Sequence, residues 1–168
     1  MRALAIAASL LIALPAAAQD TMTFTTADAE LMTACIADLS DPKLAAENPQ
    51  QVRSQTDCAG AASNTCMDTE EGGYTTVGMV ECTARETDWW DSQLNANYTS
   101  LRENLDADLF TTLQQAQRSW LTYREHTCGF EYDKWGNGSM RSIAHASCML
   151  HETASRAETL WRYLHPEG

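Results

Sequence analysis

Positive charge is scarce in this chain. Eleven lysines and arginines stand against 23 aspartates and glutamates in 168 residues, a formal net charge of −12. Such a field repels a phosphate backbone, so nucleic-acid binding is excluded as a function class, and a charged partner is expected to be basic. Long apolar runs are nearly as scarce. Beyond the first eighteen residues no stretch approaches the roughly 20 apolar residues that span a bilayer, so no membrane insertion is expected of the mature chain. There is no GxSxG, P-loop, GxGxxG, HExxH or CxxC motif. Hydrolase, nucleotide and metalloprotease readings therefore have no local support. Strict apolar/polar alternation of useful length is also missing, which argues against a sheet.

What is present begins at the N-terminus. Met1-Arg2 form a short positive region, Ala3 to Leu14 is continuously apolar or small, and Ala16-Ala17-Ala18 offers a cleavage site. Residues 1–18 thus read as a signal peptide, which predicts a periplasmic or secreted protein. No cysteine stands at the cleavage point to take a lipid. The remaining length suits one compact domain.

Export to an oxidising compartment gives the six cysteines a meaning. Cys35, Cys58, Cys66, Cys82, Cys128 and Cys148 all lie in the mature part, and their even number fits a disulfide framework. Six cysteines allow fifteen connectivities. The favoured set joins Cys128 to Cys148 across a Gly-rich turn, Cys66 to Cys82 around an acidic loop, and Cys35 to Cys58. The spacings match no common zinc ligand set, so neither a metal nor a cofactor is expected.

Helical periodicity dominates the rest. Leu31, Cys35 and Leu39 recur every four residues behind Thr26, read as an N-cap, and Ser40-Asp41-Pro42 ends that helix. After a break at Asn48-Pro49, residues 51–62 form a further helical stretch carrying Cys58. Cys66 to Tyr74, with Asp68, Glu70, Glu71, Gly72 and Gly73, reads as an acidic loop. From Thr75 or Thr76 to about Leu105, the residues Leu94, Tyr98, Leu101 and Leu105 mark one buried face. Asp106 recaps a second helix through Leu109, Leu113, Ala116, Trp120 and Tyr123 to Cys128. Lys134 to Gly138 makes a turn, Ser139 caps a third long helix, and His165-Pro166 stops it. The fold expected is all-α: a disulfide-stapled, up-and-down bundle of three longer helices with a shorter helical N-terminal part.

Few residues invite chemistry. His126, His145, His151 and His165 lack the i, i+4 spacing that clamps a metal, and Glu125 with Glu131 is the sort of carboxylate pair that so acidic a chain produces by chance. No catalytic or metal-binding residue is assigned. Gln117, Trp120 and Arg124 share a helical face, and Trp120 and Arg124 are placed to stack as a cation–π pair within a core helix. Of Trp89 and Trp90, one ring should pack inward and the other stay partly exposed. Asn97-Tyr98-Thr99 and Asn137-Gly138-Ser139 fit the glycosylation pattern.

Several blocks together resemble a known family. MVEC at Met79 to Cys82, DSQLNANYTSL at Asp91 to Leu101, AQRSWLTYREHTC at Ala116 to Cys128, GSM at Gly138 to Met140, and then Cys148, Thr153, Arg156 and Leu160 are similar to the lysozyme-inhibitor LprI-like domain of exported bacterial proteins. The resemblance runs from about Cys58 to Leu164. It implies residues 63–165 as the family domain, with 19–62 as an N-terminal helical extension. It implies a small disulfide-bonded envelope domain, inhibition of lysozyme by some members, and no catalytic residues. Leu94, Asn95, Tyr98, Gln117, Arg118, Trp120, Tyr123 and Arg124 carry the resemblance and are read as structural. The extension with Cys35 and the long Cys66 to Cys82 segment depart from the shorter pattern. Two functions follow as expectations. One is a binding protein that blocks the cleft of a basic lysozyme, with Glu70, Glu71, Tyr74 and Trp135 as candidate contacts. The other is a non-inhibitory envelope adaptor or structural module that binds another protein or a small ligand.

Overall fold

The four-and-three spacing of apolar residues is realised as three long helices. The computed structural model describes residues 23–39 and 53–166. The signal peptide at 1–18, the helix end at Ser40-Asp41-Pro42 and the break at Asn48-Pro49 lie outside these residues. The elements are α1 (Thr26–Leu39), a 3-10 turn (Gln55–Cys58), α2 (Ala61–Thr69), α3 (Thr76–Asn104), α4 (Ala107–Asp133) and α5 (Met140–Leu164). There is no strand among the described residues.

Helices α3, α4 and α5 run up, down and up. The Asp106 side chain accepts the Leu109 amide at 2.8 Å and so starts α4 directly after the reversal at Leu105. Helix α5 is the central member. Its small residues Ala146, Ala154 and Ala157 are buried, which lets α3 approach closely along its length. Leu94 and Leu101 of α3 and Leu150 and Leu160 of α5 fill the shared core around Trp90, which is 1% exposed. The Asn97 side-chain amide donates to the Ala157 carbonyl at 3.1 Å, pinning the parallel register of α3 and α5. Trp90 is the inward ring of its pair; Trp89 meets it edge-on at 4.8 Å and stacks on Phe24 at 6.5 Å.

All three disulfides follow the favoured pairing: Cys35–Cys58, Cys66–Cys82 and Cys128–Cys148. Each bridges neighbouring elements close in sequence. Several local expectations need correction. The first helix is capped one residue earlier than Thr26: the Thr25 hydroxyl accepts the Asp28 amide, and the Asp28 carboxylate accepts the Thr25 amide. Residues 53–62 do not form one helix. They make a 3-10 turn and then, after Gly60, the start of α2. Cys66, Met67 and Asp68 belong to α2, so the loop is confined to 70–75; the acidic composition concealed a helix whose buried face is only Ala62, Ser63 and Cys66. Ser139 precedes α5 but sits in helical conformation and makes no capping bond.

Buried carboxylates stitch the N-terminal part to the bundle. Glu86 of α3 is fully buried and accepts the Gly60 amide at 2.8 Å, the Ser63 amide at 2.7 Å and the Trp90 indole N–H at 3.0 Å. It therefore caps α2 from another helix. Asp28 of α1 forms a buried ion pair with Arg85 of α3, whose Nε donates to Oδ2 at 2.8 Å. Glu158 of α5 accepts the Ser54 hydroxyl, the Thr56 amide at 3.3 Å and an Arg162 N–H at 2.5 Å. Burial acts to raise the pKa of both Asp28 and Glu158. At Asp28 the bonds from Thr25 and Arg85 outweigh it, and at Glu158 those from Ser54, Arg162 and Thr56 do, so both stay below their ordinary values.

Candidate functional site

The N-terminus of α3, the C-terminus of α4 and the N-terminus of α5 lie at one end of the bundle, a consequence of the up-down-up order. Two connections close that end, and each is braced by a disulfide a few residues away. Cys66–Cys82 brackets the 70–75 loop, and Cys128–Cys148 brackets the 134–139 turn. Gly78 packs its backbone against the loop: a Cβ there would stand 2.1 Å from the Gly72 carbonyl oxygen. Gly72 itself turns the loop with φ +76°, a left-handed conformation that favours glycine.

The candidate contacts distribute unevenly on this end. Tyr74 is 67% exposed, and its hydroxyl donates to the Asp68 carboxylate, which pushes the phenol above its ordinary pKa. Glu71 is exposed. Glu70 is exposed as well but leans back toward the Arg85 guanidinium, 3.5 Å away, so part of its charge is spent within the protein. Trp135 is 45% exposed, beside Lys134, which pairs with Glu131. The fold brings the two connections to the same end of the bundle.

The sequence reading missed three further residues here. Val77, Phe130 and Met140 are exposed apolar side chains at the same helix ends. Phe130 lies beyond the apolar spacing, which is followed only to Cys128, on the part of α4 that continues to Asp133. A helix that outruns its own buried stripe is the signal that was available. Exposed apolar side chains rimmed by acids are the composition of a protein-contact surface.

The family-motif residues gather elsewhere, along a groove between the middles of α3 and α4. Leu94, Asn95 and Tyr98 form one wall, and Gln117, Arg118, Trp120 and Leu121 the other, enclosing about 290 Å³. Leu94 and Gln117 are buried, and Tyr98 packs its ring on Phe110 at 5.4 Å. Asn95 donates to Asp91 at 2.8 Å, and Arg118 reaches Gln114 at 3.4 Å. The expected cation–π pair is formed, with the Arg124 guanidinium 4.6 Å from the Trp120 ring centre; Arg124 also donates to the Thr153 hydroxyl at 2.8 Å. Tyr123 is exposed, its hydroxyl 3.4 Å from Glu152.

Among the described residues no group of His, Cys, Asp and Glu is arranged to hold a metal, and no helix is long and apolar enough to cross a membrane.

Comparison with known families places these features. The family model described as lysozyme inhibitor LprI matches residues 66–160, more than half of the chain. The match takes in the 70–75 loop, both long-helix motif blocks and two of the three disulfides. No curated protein and no solved structure matches the chain.

Proposed function

The chain belongs to the lysozyme inhibitor LprI family, and on that premise we propose that it is exported to the periplasm or secreted, where it inhibits a basic lysozyme by blocking the enzyme's cleft. Three disulfides and the family point to an extracytoplasmic protein. In this reading residues 1–18 are removed on export, 19–62 is an extension, and 63–165 is the inhibitory domain. The protein acts by binding and not by catalysis.

One observation carries the reading: two disulfide-braced connections present exposed aromatic and acidic side chains at the same end of the bundle. An inhibitor that enters a cleft gains affinity when its loops are ordered before binding, because little conformational entropy is then lost. Tyr74 and Trp135 are the aromatic anchors of this surface, the residue types that dominate binding energy at interfaces. Glu71, with Glu70 and Asp68 behind it, supplies charge complementary to a basic enzyme and steers the encounter.

The test is lysis of a bacterial wall suspension by a basic lysozyme, with and without the purified, oxidised mature chain. Slowing of lysis that saturates at a stoichiometric ratio, and weakens as salt screens the encounter, is the expected result. Unchanged lysis at low salt and at excess protein rules the reading out for that enzyme.

A further inference from the structure

The family model begins at Cys66 and so leaves α1 outside the match. One side chain nevertheless ties α1 to the 70–75 loop. Arg85 of α3 has a side chain only 6% exposed, and a buried guanidinium needs acceptors for the N–H groups it has taken out of water. Its Nε and Nη2 both donate to Oδ2 of Asp28 on α1. Its Nη1 lies 3.5 Å from the Glu70 carboxylate and 3.7 Å from the Cys66 sulfur, where α2 gives way to the loop.

A guanidinium is planar and rigid, so fixing two of its nitrogens fixes the direction of the third. Asp28 is itself held in place. The Thr25 amide and hydroxyl each donate to the same Oδ2 at 2.7 Å. Phe24 stacks on Trp89, and the Cys35–Cys58 bridge ties the later part of α1 to the 3-10 turn. The Glu70 end is the looser one, with a side chain 45% exposed. The Glu70 carbonyl accepts the Gly73 amide at 3.0 Å, and the Gly72 carbonyl accepts the Thr75 amide at 2.9 Å. Holding Glu70 toward Arg85 therefore sets where this turn begins, and with it how Glu71 and Tyr74 are presented.

We propose that α1 positions the 70–75 loop through Arg85: Asp28 aims the guanidinium, and the guanidinium holds Glu70. Asp28 and Arg85 are positioning residues, and the N-terminal extension is a working part of the loop-bearing end. That the loop meets lysozyme rests on the proposed function; that α1 positions the loop does not. Linkage makes the coupling reciprocal, and it is limited by the weaker contact, the half-exposed Arg85–Glu70 pair, which is worth about threefold in an equilibrium constant.

Amide hydrogen exchange of the oxidised mature chain reads the coupling in both directions. Asp28→Asn should speed exchange of the Gly73 and Thr75 amides about threefold. The Gly138 amide, which donates to the Trp135 carbonyl at 3.1 Å in the other connection, should not change. A merely structural role for Asp28 would not separate the two connections in this way. Glu70→Gln, at an exposed side chain, should speed exchange of the Thr25 amide about threefold, and it judges the proposal by itself if Asp28→Asn does not fold. A Thr25 amide unmoved by Glu70→Gln, or Gly73 and Thr75 amides that change no more than Gly138 in Asp28→Asn, would overturn the proposal. Binding kinetics with a basic lysozyme keep the two readings apart. Asp28→Asn should raise koff about threefold with kon unchanged, whereas Glu71→Gln should lower kon. A parent chain that does not bind lysozyme removes the inhibitory reading, and the exchange results still decide whether α1 positions the loop.

Discussion

Glu86 offers the sharpest perturbation of the scaffold. Its carboxylate is fully buried, and three donors depend on it: the Gly60 and Ser63 amides at the start of α2 and the Trp90 indole. Glu86→Ala leaves these donors without their acceptor, at about 1–3 kcal/mol for each buried group. Removing a buried charge returns part of this, because its desolvation costs several kcal/mol. A net loss of about 3–5 kcal/mol is expected, a large share of the roughly 5–15 kcal/mol that holds a domain together. Glu86→Gln is the more discriminating change. Oε1 takes Gly60 and Trp90 while Oε2 takes Ser63, so either orientation of the amide turns an NH2 toward at least one N–H donor. That mismatch should cost about 2–3 kcal/mol. Urea unfolding of the oxidised mature chain reads the loss, and hydrogen exchange at the Ser63 amide locates it at the start of α2. A Glu86→Gln protein within about 0.5 kcal/mol of the parent, with Ser63 equally protected, would refute this account of how α2 is held.

Three other outcomes follow from the same structure. Replacing Cys66 and Cys82 together by alanine opens a bridge of sequence separation 16 and should lower stability by about 3 kcal/mol in the chain-entropy view, with faster amide exchange across the 70–75 loop. An unchanged urea midpoint would show that α2 is held without it. Asp28 and Glu158, held below their ordinary values of 3.8 and 4.5, contribute stability above those values that is lost as the pH falls through their lower folded values. Urea midpoints should therefore fall steeply on that acid limb, and Asp28→Asn, about 3–5 kcal/mol less stable at neutral pH from the broken buried pair, should show a flatter one. An equally steep limb in Asp28→Asn would remove Asp28 from the explanation. Tyr74→Ala and Trp135→Ala should leave the urea midpoint almost unchanged, since both side chains are largely exposed, while weakening lysozyme inhibition at least tenfold each.

Much of the bundle was legible because its determinants are local. Leu94 and Leu101 repeat on one helical face, Asp106 caps the helix it precedes, and cysteines flanking a turn bond across it. What escaped reading depends on partners far apart in sequence. Ser54 and Glu158 are 104 residues apart, and nothing near Glu158 distinguishes it from the solvated acids of this chain. Glu86 and Asp28 were concealed in the same way, as acidic residues within an acidic composition. The candidate contacts were partly legible: Tyr74, Glu71 and Trp135 are exposed, but the inward lean of Glu70 depends on Arg85, which only the fold brings near. The QRSW block was read as a core helix with a bound arginine, which holds for Gln117 and Trp120; the orphaned nitrogen of Arg156 on the facing helix was beyond any local pattern.

The central functional claim rests on the loop-bearing end of the bundle, and one measurement addresses it most directly. Calorimetric titration of the oxidised mature chain into a basic lysozyme should give one-to-one binding. Trp135→Ala and Tyr74→Ala should each weaken it about tenfold or more, whereas Arg118→Gln in the distant groove should leave it unchanged. No heat of binding at low salt, or affinity that survives both aromatic substitutions together, would contradict the account.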